Sequence, residues 1–137
     1  MKVRGVIEAC LYVSDIDKAE EFYTSLLGVK PFAKAKNRHV FYKLENCMFL
    51  IFNPEYTKIG GDVPPHGYYG RGHIAFAVSD EEIELWKEKI KSLGIDIEAE
   101  VLWPSGGKSV YIRDPFGNSV EFITPEAWGF NWKDCTN

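Results

Sequence analysis

The sequence has no run of basic residues, no long apolar stretch and only three cysteines, and each scarcity removes a class of function. Sixteen Lys and Arg stand against twenty Asp and Glu, for a net charge of -4, so the chain offers no continuous cationic surface to nucleic acid. The opening segment MKVRGVIEACLYV is interrupted by Glu8 and followed at once by a Ser-Asp turn signal. It reads as a strand rather than a secretory leader or a membrane span. Cys10, Cys47 and Cys135 are odd in number and lack Cys-x-x-Cys spacing, the pattern of reduced thiols in a cytoplasmic protein.

What the sequence does contain is an ordinary globular balance, 45% hydrophobic and 26% charged in 137 residues, enough for one domain. Aromatics are the exception: at 15% they point to a core or a concave pocket lined with large flat side chains.

The chain also repeats itself. Glu8-Ala-Cys-Leu-Tyr-Val-Ser-Asp15 has a counterpart in His73-Ile-Ala-Phe-Ala-Val-Ser-Asp80, and Leu27-Gly28-Val29 in Leu93-Gly94-Ile95. Each copy predicts a short strand, an Asp placed to cap a helix, and a helix closed by a Leu-Gly pair. The first helix, about 16–27, carries Ile16, Ala19, Phe22, Tyr23, Leu26 and Leu27 at helical spacing; the second carries Ile83, Trp86, Ile90 and Leu93. Strand-like stretches follow around 30–35, 39–44 and 47–52, and again around 97–102, 109–113 and 119–124. Each copy reads β-α-β-β-β, about 1–57 and 68–126, with a turn-rich linker at about 58–67 and a tail at 127–137. Three tail aromatics, Trp128, Phe130 and Trp132, are expected to pack on the domain or on a second subunit.

The segments LYVSDIDKAEEFYTSLLG (11–28), GHIAFAVSD (72–80) and YIRDPFGNSVEF (111–122) resemble the vicinal oxygen chelate superfamily, which includes glyoxalase I, fosfomycin-resistance thiol transferases, extradiol dioxygenases and bleomycin-resistance proteins. The resemblance covers nearly the whole chain. It implies an α+β fold: a single glyoxalase-like domain of two β-α-β-β-β modules whose mixed sheets curve into a half-open barrel, with helices outside and a metal in the cup. It also implies a homodimer.

Strand alternation puts Glu8, Cys10 and Tyr12 on one face of the first strand, His73 with Ala75 and Ala77, and Glu121 with Ser119 and Ile123, all opposite the apolar faces that helices would cover. The resemblance brings these faces into one cup. Its four ligand positions fall on Glu8, Leu50, His73 and Glu121, of which Leu50 cannot bind a metal and departs from the four-ligand pattern of glyoxalase I. Glu8, His73 and Glu121 are thus the expected ligands of one divalent cation, Zn, Ni, Mn, Co or Fe. Three protein ligands leave positions for substrate oxygens or water. The competing reading pairs Glu8 and Glu121 with Arg4, Arg71 or Arg113 and makes His73 a hydrogen-bonded strand histidine.

Glu121 and Glu8 are the candidate catalytic carboxylates. Cys10, Tyr12, Leu50, Ser109, Tyr111 and Arg113 are the expected substrate-contacting residues, with Arg113 placed to grip an anion or else to pair with Asp114 or a cup carboxylate. His66 reads as an exposed loop residue or a lid, His39 as solvent-facing, and Tyr68, Tyr69 and Trp103 flank loops that could close over the cup.

Three functions follow. The first is a glyoxalase-like metalloenzyme using the cation as Lewis acid on vicinal oxygens, in a lyase or isomerase type of proton transfer. The second is a metal-dependent thiol transferase resembling the fosfomycin-resistance enzymes, with a thiol co-substrate. The third is a metal-free binding protein resembling the bleomycin-resistance group. An extradiol dioxygenase fits less well, because those sites use two histidines and one carboxylate. In every case the partner is a small molecule, with neither nucleic acid nor membrane involved.

Overall fold

A computed structural model describes residues 1–131 of the chain. The order of elements is β1 (Glu8–Tyr12), α1 (Ile16–Leu27), β2 (Ala33–Ala35), β3 (His39–Lys43), β4 (Met48–Phe52), α2 (Pro54–Thr57), β5 (His73–Ala77), α3 (Ile83–Ser92), β6 (Ala99–Leu102), β7 (Lys108–Arg113) and β8 (Ser119–Ile123), with a 3₁₀ turn at Pro125–Trp128. The chain is α+β and forms two compact units, Met1–Gly70 and a second beginning at Arg71, each built on one mixed four-stranded sheet. The repeated β-α-β-β-β pattern is present in both.

In the first unit the strand order is β1-β4-β3-β2, with β1 parallel to β4 and the other pairs antiparallel. Helix α1 forms because Ile16, Ala19, Tyr23 and Leu26 recur at helical spacing and are all buried. They meet Leu11, Val40, Tyr42, Phe49 and Ile51 from one face of the sheet. Tyr23 packs edge-on against Phe49 at 5.1 Å. The buried Tyr42 hydroxyl donates to the Glu20 carbonyl (3.2 Å) and accepts from Thr24 Oγ1 (2.9 Å), which removes the cost of burying it. Asp15 accepts from the Lys18 amide at the N-terminus, and Gly28, at φ 66°, closes the C-terminus with its N–H on the Thr24 carbonyl.

The second unit repeats the topology as β5-β8-β7-β6, with β5 parallel to β8. Ile83 and Ile90 of α3 are buried with Phe76, Val110, Ile112, Val120 and Phe122, and Trp86 stacks on Phe122 at 4.7 Å. One expected cap is absent. Glu82, in helical conformation, stands at the start of α3 with no side-chain cap bond, and Asp80 instead pairs with Lys108 at 2.9 Å. In the stretch between the repeats, His66 N–H bonds the Thr57 carbonyl (3.0 Å), which ties this stretch to the end of α2.

The β7–β8 turn is organised around one buried carboxylate. Asp114 accepts from the amides of Phe116 (2.9 Å) and Asn118 (2.8 Å) and from the Asn118 side chain (2.8 Å). Asn118 Oδ1 in turn accepts from the Gly72 amide at 2.7 Å, immediately before β5. Gly117, at φ 85°, turns the chain where a Cβ would sit 3.0 Å from the Arg71 side chain. The Asp-Pro-Phe-Gly-Asn segment therefore ties the hairpin to the start of β5. Asp114→Ala strands the buried Asn118 donors and is expected to cost about 3 kcal/mol in urea denaturation, with Asp114→Asn retaining part of the loss.

Candidate functional site

The site is best defined in the second unit, on the sheet face opposite α3. The parallel β5–β8 register places Ala75 beside Glu121 and His73 beside Ser119, so His73 and Glu121 are diagonal neighbours. Their side chains meet, His73 Nε2 lying 3.2 Å from Glu121 Oε2. The imidazole is 51% exposed and the carboxylate only 6%, so the pair is rooted in the protein and open on one side.

Its chemistry follows from the other atoms of the two groups. His73 Nδ1 lies 3.2 Å from the Ser119 carbonyl, which can only accept, so Nδ1 carries a proton. In the neutral ring Nε2 is then a lone pair facing a carboxylate oxygen. Two such donors side by side call for a cation between or beside them, either a proton on Nε2 or a metal ion. A backbone carbonyl orienting the far nitrogen is also the usual support for a metal-binding histidine. The donor set fits a borderline divalent metal. Among the described residues no three His, Cys, Asp or Glu side chains form a metal-holding group. Glu8, the third expected ligand, lies in the first unit, where it begins β1 as His73 begins β5.

Glu121 is held from beneath. Ser109, 1% exposed, donates to Glu121 Oε1 at 2.5 Å, and Trp103 Nε1–H donates to Ser109 Oγ at 2.8 Å. Tyr111 pairs with Glu121 across β7–β8, and its ring lies parallel to His73 at 6.4 Å. Burial, then the Glu121 carboxylate, push the Tyr111 phenol above its ordinary value, so it stays protonated and able to donate. Of the expected contacts here, His73, Ser109, Tyr111 and Glu121 come together. Arg113 does not join them, nor does it pair with Asp114 or a site carboxylate: its guanidinium binds Glu98 (2.9 Å) and the Gly117 carbonyl (3.0 Å).

In the first unit the equivalent face carries Glu8, Cys10, Tyr12, Leu50 and Phe52. Register pairs Cys10 with Leu50 and Tyr12 with Phe52, so Leu50 holds in β4 the place that Glu121 holds in β8. Leu50 is 7% exposed and apolar, so this face of the first unit carries no ligand atom at that position. Tyr12 OH is bonded to His66 Nδ1 at 2.6 Å, and its ring meets Tyr68 edge-on at 4.7 Å. His66 is thus a half-buried, partnered residue rather than an exposed one. His39 does not face solvent freely: it stacks on Phe41 at 4.0 Å and accepts from Arg38, and burial, then the Arg38 charge, lower its pKa.

Two features escaped the sequence reading. The Trp103–Ser109 bond is signalled only by hairpin register, because Val101 pairs with Ser109 and Trp103 lies two residues further along the same face. The Tyr12–His66 bond has no local signal. Trp128 and Phe130 are 77% and 54% exposed rather than packed on their unit, and Trp132 lies outside the described residues, as does Cys135.

With this geometry in view, the chain matches the family model of the Glyoxalase/Bleomycin resistance protein/Dioxygenase superfamily over residues 5–122 and belongs to that superfamily. Among curated proteins it is 28% identical to the metallothiol transferase FosB of Bacillus licheniformis, over 90% of this chain and 77% of that protein. It is 31% identical to the fosfomycin resistance protein FosX of Listeria monocytogenes, over 82% and 75% respectively. Among solved structures, a lactoylglutathione lyase from Agrobacterium tumefaciens superposes with a TM-score of 0.90 at 36% identity, over 95% of this chain and all of that one. No helix among the described residues is long and apolar enough to cross a membrane.

Cys10 is half-buried, and burial, then Glu8, then Cys47 raise its pKa; burial likewise raises that of Cys47. The thiolate fraction at neutral pH is therefore below that of free cysteine and grows only as pH passes the raised value. Iodoacetamide labelling read by peptide mass mapping should show both alkylated more slowly than free cysteine at pH 7.5, with rates climbing steeply above pH 9.

Proposed function

We propose that this chain is a glyoxalase-like metalloenzyme, acting on a small substrate with vicinal oxygens through a lyase or isomerase type of proton transfer. The observation that carries the reading is the His73–Glu121 pair, whose far atoms are occupied by the Ser119 carbonyl and the Ser109 hydroxyl. The near atoms are left to hold a cation. Glu8 would supply the third protein ligand from the first unit.

A divalent ion bound there supplies Lewis-acid polarisation of adjacent substrate oxygens. Glu121 has one oxygen fixed by Ser109, and the other, beside His73 Nε2, would bind the ion or take a proton from substrate carbon. Glu8 is the second candidate base. Tyr111, protonated at neutral pH, can donate to a substrate oxygen beside His73. Cys10, Tyr12 and Leu50 would form the wall against the substrate's apolar part. The working unit is proposed to be a cytoplasmic homodimer.

The relatives named as metallothiol transferase and fosfomycin resistance protein support a second reading, thiol transfer to a substrate held at the same cation. Against it, the Arg113 guanidinium is already bound to Glu98 and Gly117, which weakens the case for a phosphonate site.

Metal analysis of protein purified without added ions decides between an enzyme of this kind and a metal-free binding protein. Reloading EDTA-treated protein with Ni²⁺, Zn²⁺ or Mn²⁺ at about 100 times Kd should raise Tm by roughly 5–10 °C, and Glu121→Gln should remove most of that rise. Protein that carries no metal and gains no stabilisation on reloading would overturn the reading. Turnover of methylglyoxal with small thiols, set against thiol addition to fosfomycin, then separates the two enzymes.

A further inference from the structure

We infer that Trp103, acting through Ser109, is a positioning residue that fixes which oxygen of Glu121 faces His73; its importance for cation binding rests on the metal-holding reading above. The argument is one of donors and acceptors. An indole Nε1–H can only donate, so in the 2.8 Å contact Ser109 Oγ is the acceptor. That contact occupies one Ser109 lone pair and leaves the hydroxyl proton to point along the 2.5 Å line to Glu121 Oε1. A hydroxyl alone rotates to suit its surroundings. With the indole in place this buried one points at Glu121, which keeps Oε1 down and Oε2 toward His73 Nε2.

Trp103 is itself held by backbone. Its N–H bonds the Gly107 carbonyl at 2.8 Å and its carbonyl accepts from Gly106 at 2.9 Å, closing the β6–β7 turn. Gly107 lies so close to the 3₁₀ turn that an added Cβ would fall 2.1 Å from Ala127 N. Ser105 Oγ donates to the Ala127 carbonyl at 3.2 Å, while Lys108 N–H donates to Thr124 Oγ1 at 2.9 Å and Thr124 N–H to the Lys108 carbonyl at 3.0 Å. The segment after β8 therefore clamps the turn that aims the indole, and the indole sets the hydroxyl that sets the carboxylate. Groups placed this way behind a metal ligand typically govern affinity about 10- to 100-fold.

The test uses the full chain in two arms. In the metal-free protein, the Trp103 Nε1–H resonance, assigned by its loss in Trp103→Phe, should move on Glu121→Gln. The movement should vanish in a Ser109→Ala background and survive in Ser109→Thr. In the second arm, Co²⁺ titration followed by its visible absorption should give about tenfold weaker binding and an altered spectrum for Trp103→Phe. The double variant with Ser109→Ala should bind no more weakly than Ser109→Ala alone. An unmoved Trp103 resonance in Glu121→Gln, or Co²⁺ bound by Trp103→Phe with wild-type affinity and spectrum, overturns the inference. Should Trp103→Phe fail to fold, the Ser109→Ala and Ser109→Thr pair decides by the same criteria, with the indole assigned from Ser109→Ala. Failure of the wild type to bind Co²⁺ defeats the metalloenzyme reading instead, and the resonance arm still decides the relay.

Discussion

Everything at the candidate site depends on the parallel pairing of a unit's first strand with its last. Parallel neighbours cannot be joined by a tight turn, so the chain between them must travel through a helix and two further strands before it returns. In the second unit that return sets residues far apart in sequence side by side, with Ala75 against Glu121 and His73 against Ser119. A diagonal contact across this register is what joins imidazole and carboxylate. The same pairing in the first unit joins Cys10 to Leu50 and puts no second carboxylate there.

Supporting parts work on different sides of the sheet. Apolar residues of α3 and the inner face of β7 and β8 fill one side, with Phe122 beneath Trp86. The polar network lies at the strand ends and on the other side. Asp114 and Asn118 hold the start of β5, and the 3₁₀ turn holds the end of β6 and the start of β7. His73 and Glu121 thus sit between two clamps, each made of backbone bonds to a buried side chain or a close glycine contact. This arrangement lets a half-exposed histidine keep a defined position.

Much of the fold was legible because its signals are local or periodic. The repeated Val-Ser-Asp and Leu-Gly pairs mark the helix ends, and alternation along β1, β5 and β8 assigns faces correctly. What could not be read depends on partners distant in sequence. Asp80 has the same local setting as Asp15, yet Lys108 on β7 draws it into an ion pair and α3 begins without a side-chain cap. Arg113 was expected to meet an anionic ligand, Asp114 or a cup carboxylate, and the segment before β6 supplies Glu98 instead. His66 looked exposed from its turn-rich linker and His39 from its polar patch, while Tyr12, Phe41 and Phe52 give them aromatic company. For the site, residue types and faces were readable, but the hydrogen-bond directions that organise Glu121 were not.

Ser109 has a consequence for how the two oxygens of Glu121 differ. Its single proton belongs to Glu121 and one lone pair to Trp103, so what remains is acceptor capacity alone. At 1% exposure the hydroxyl is closed to solvent, so no water competes for its proton. The two oxygens of one carboxylate are therefore unlike: Oε1 is tied to a hydroxyl shut away from water, and Oε2 meets a half-exposed imidazole.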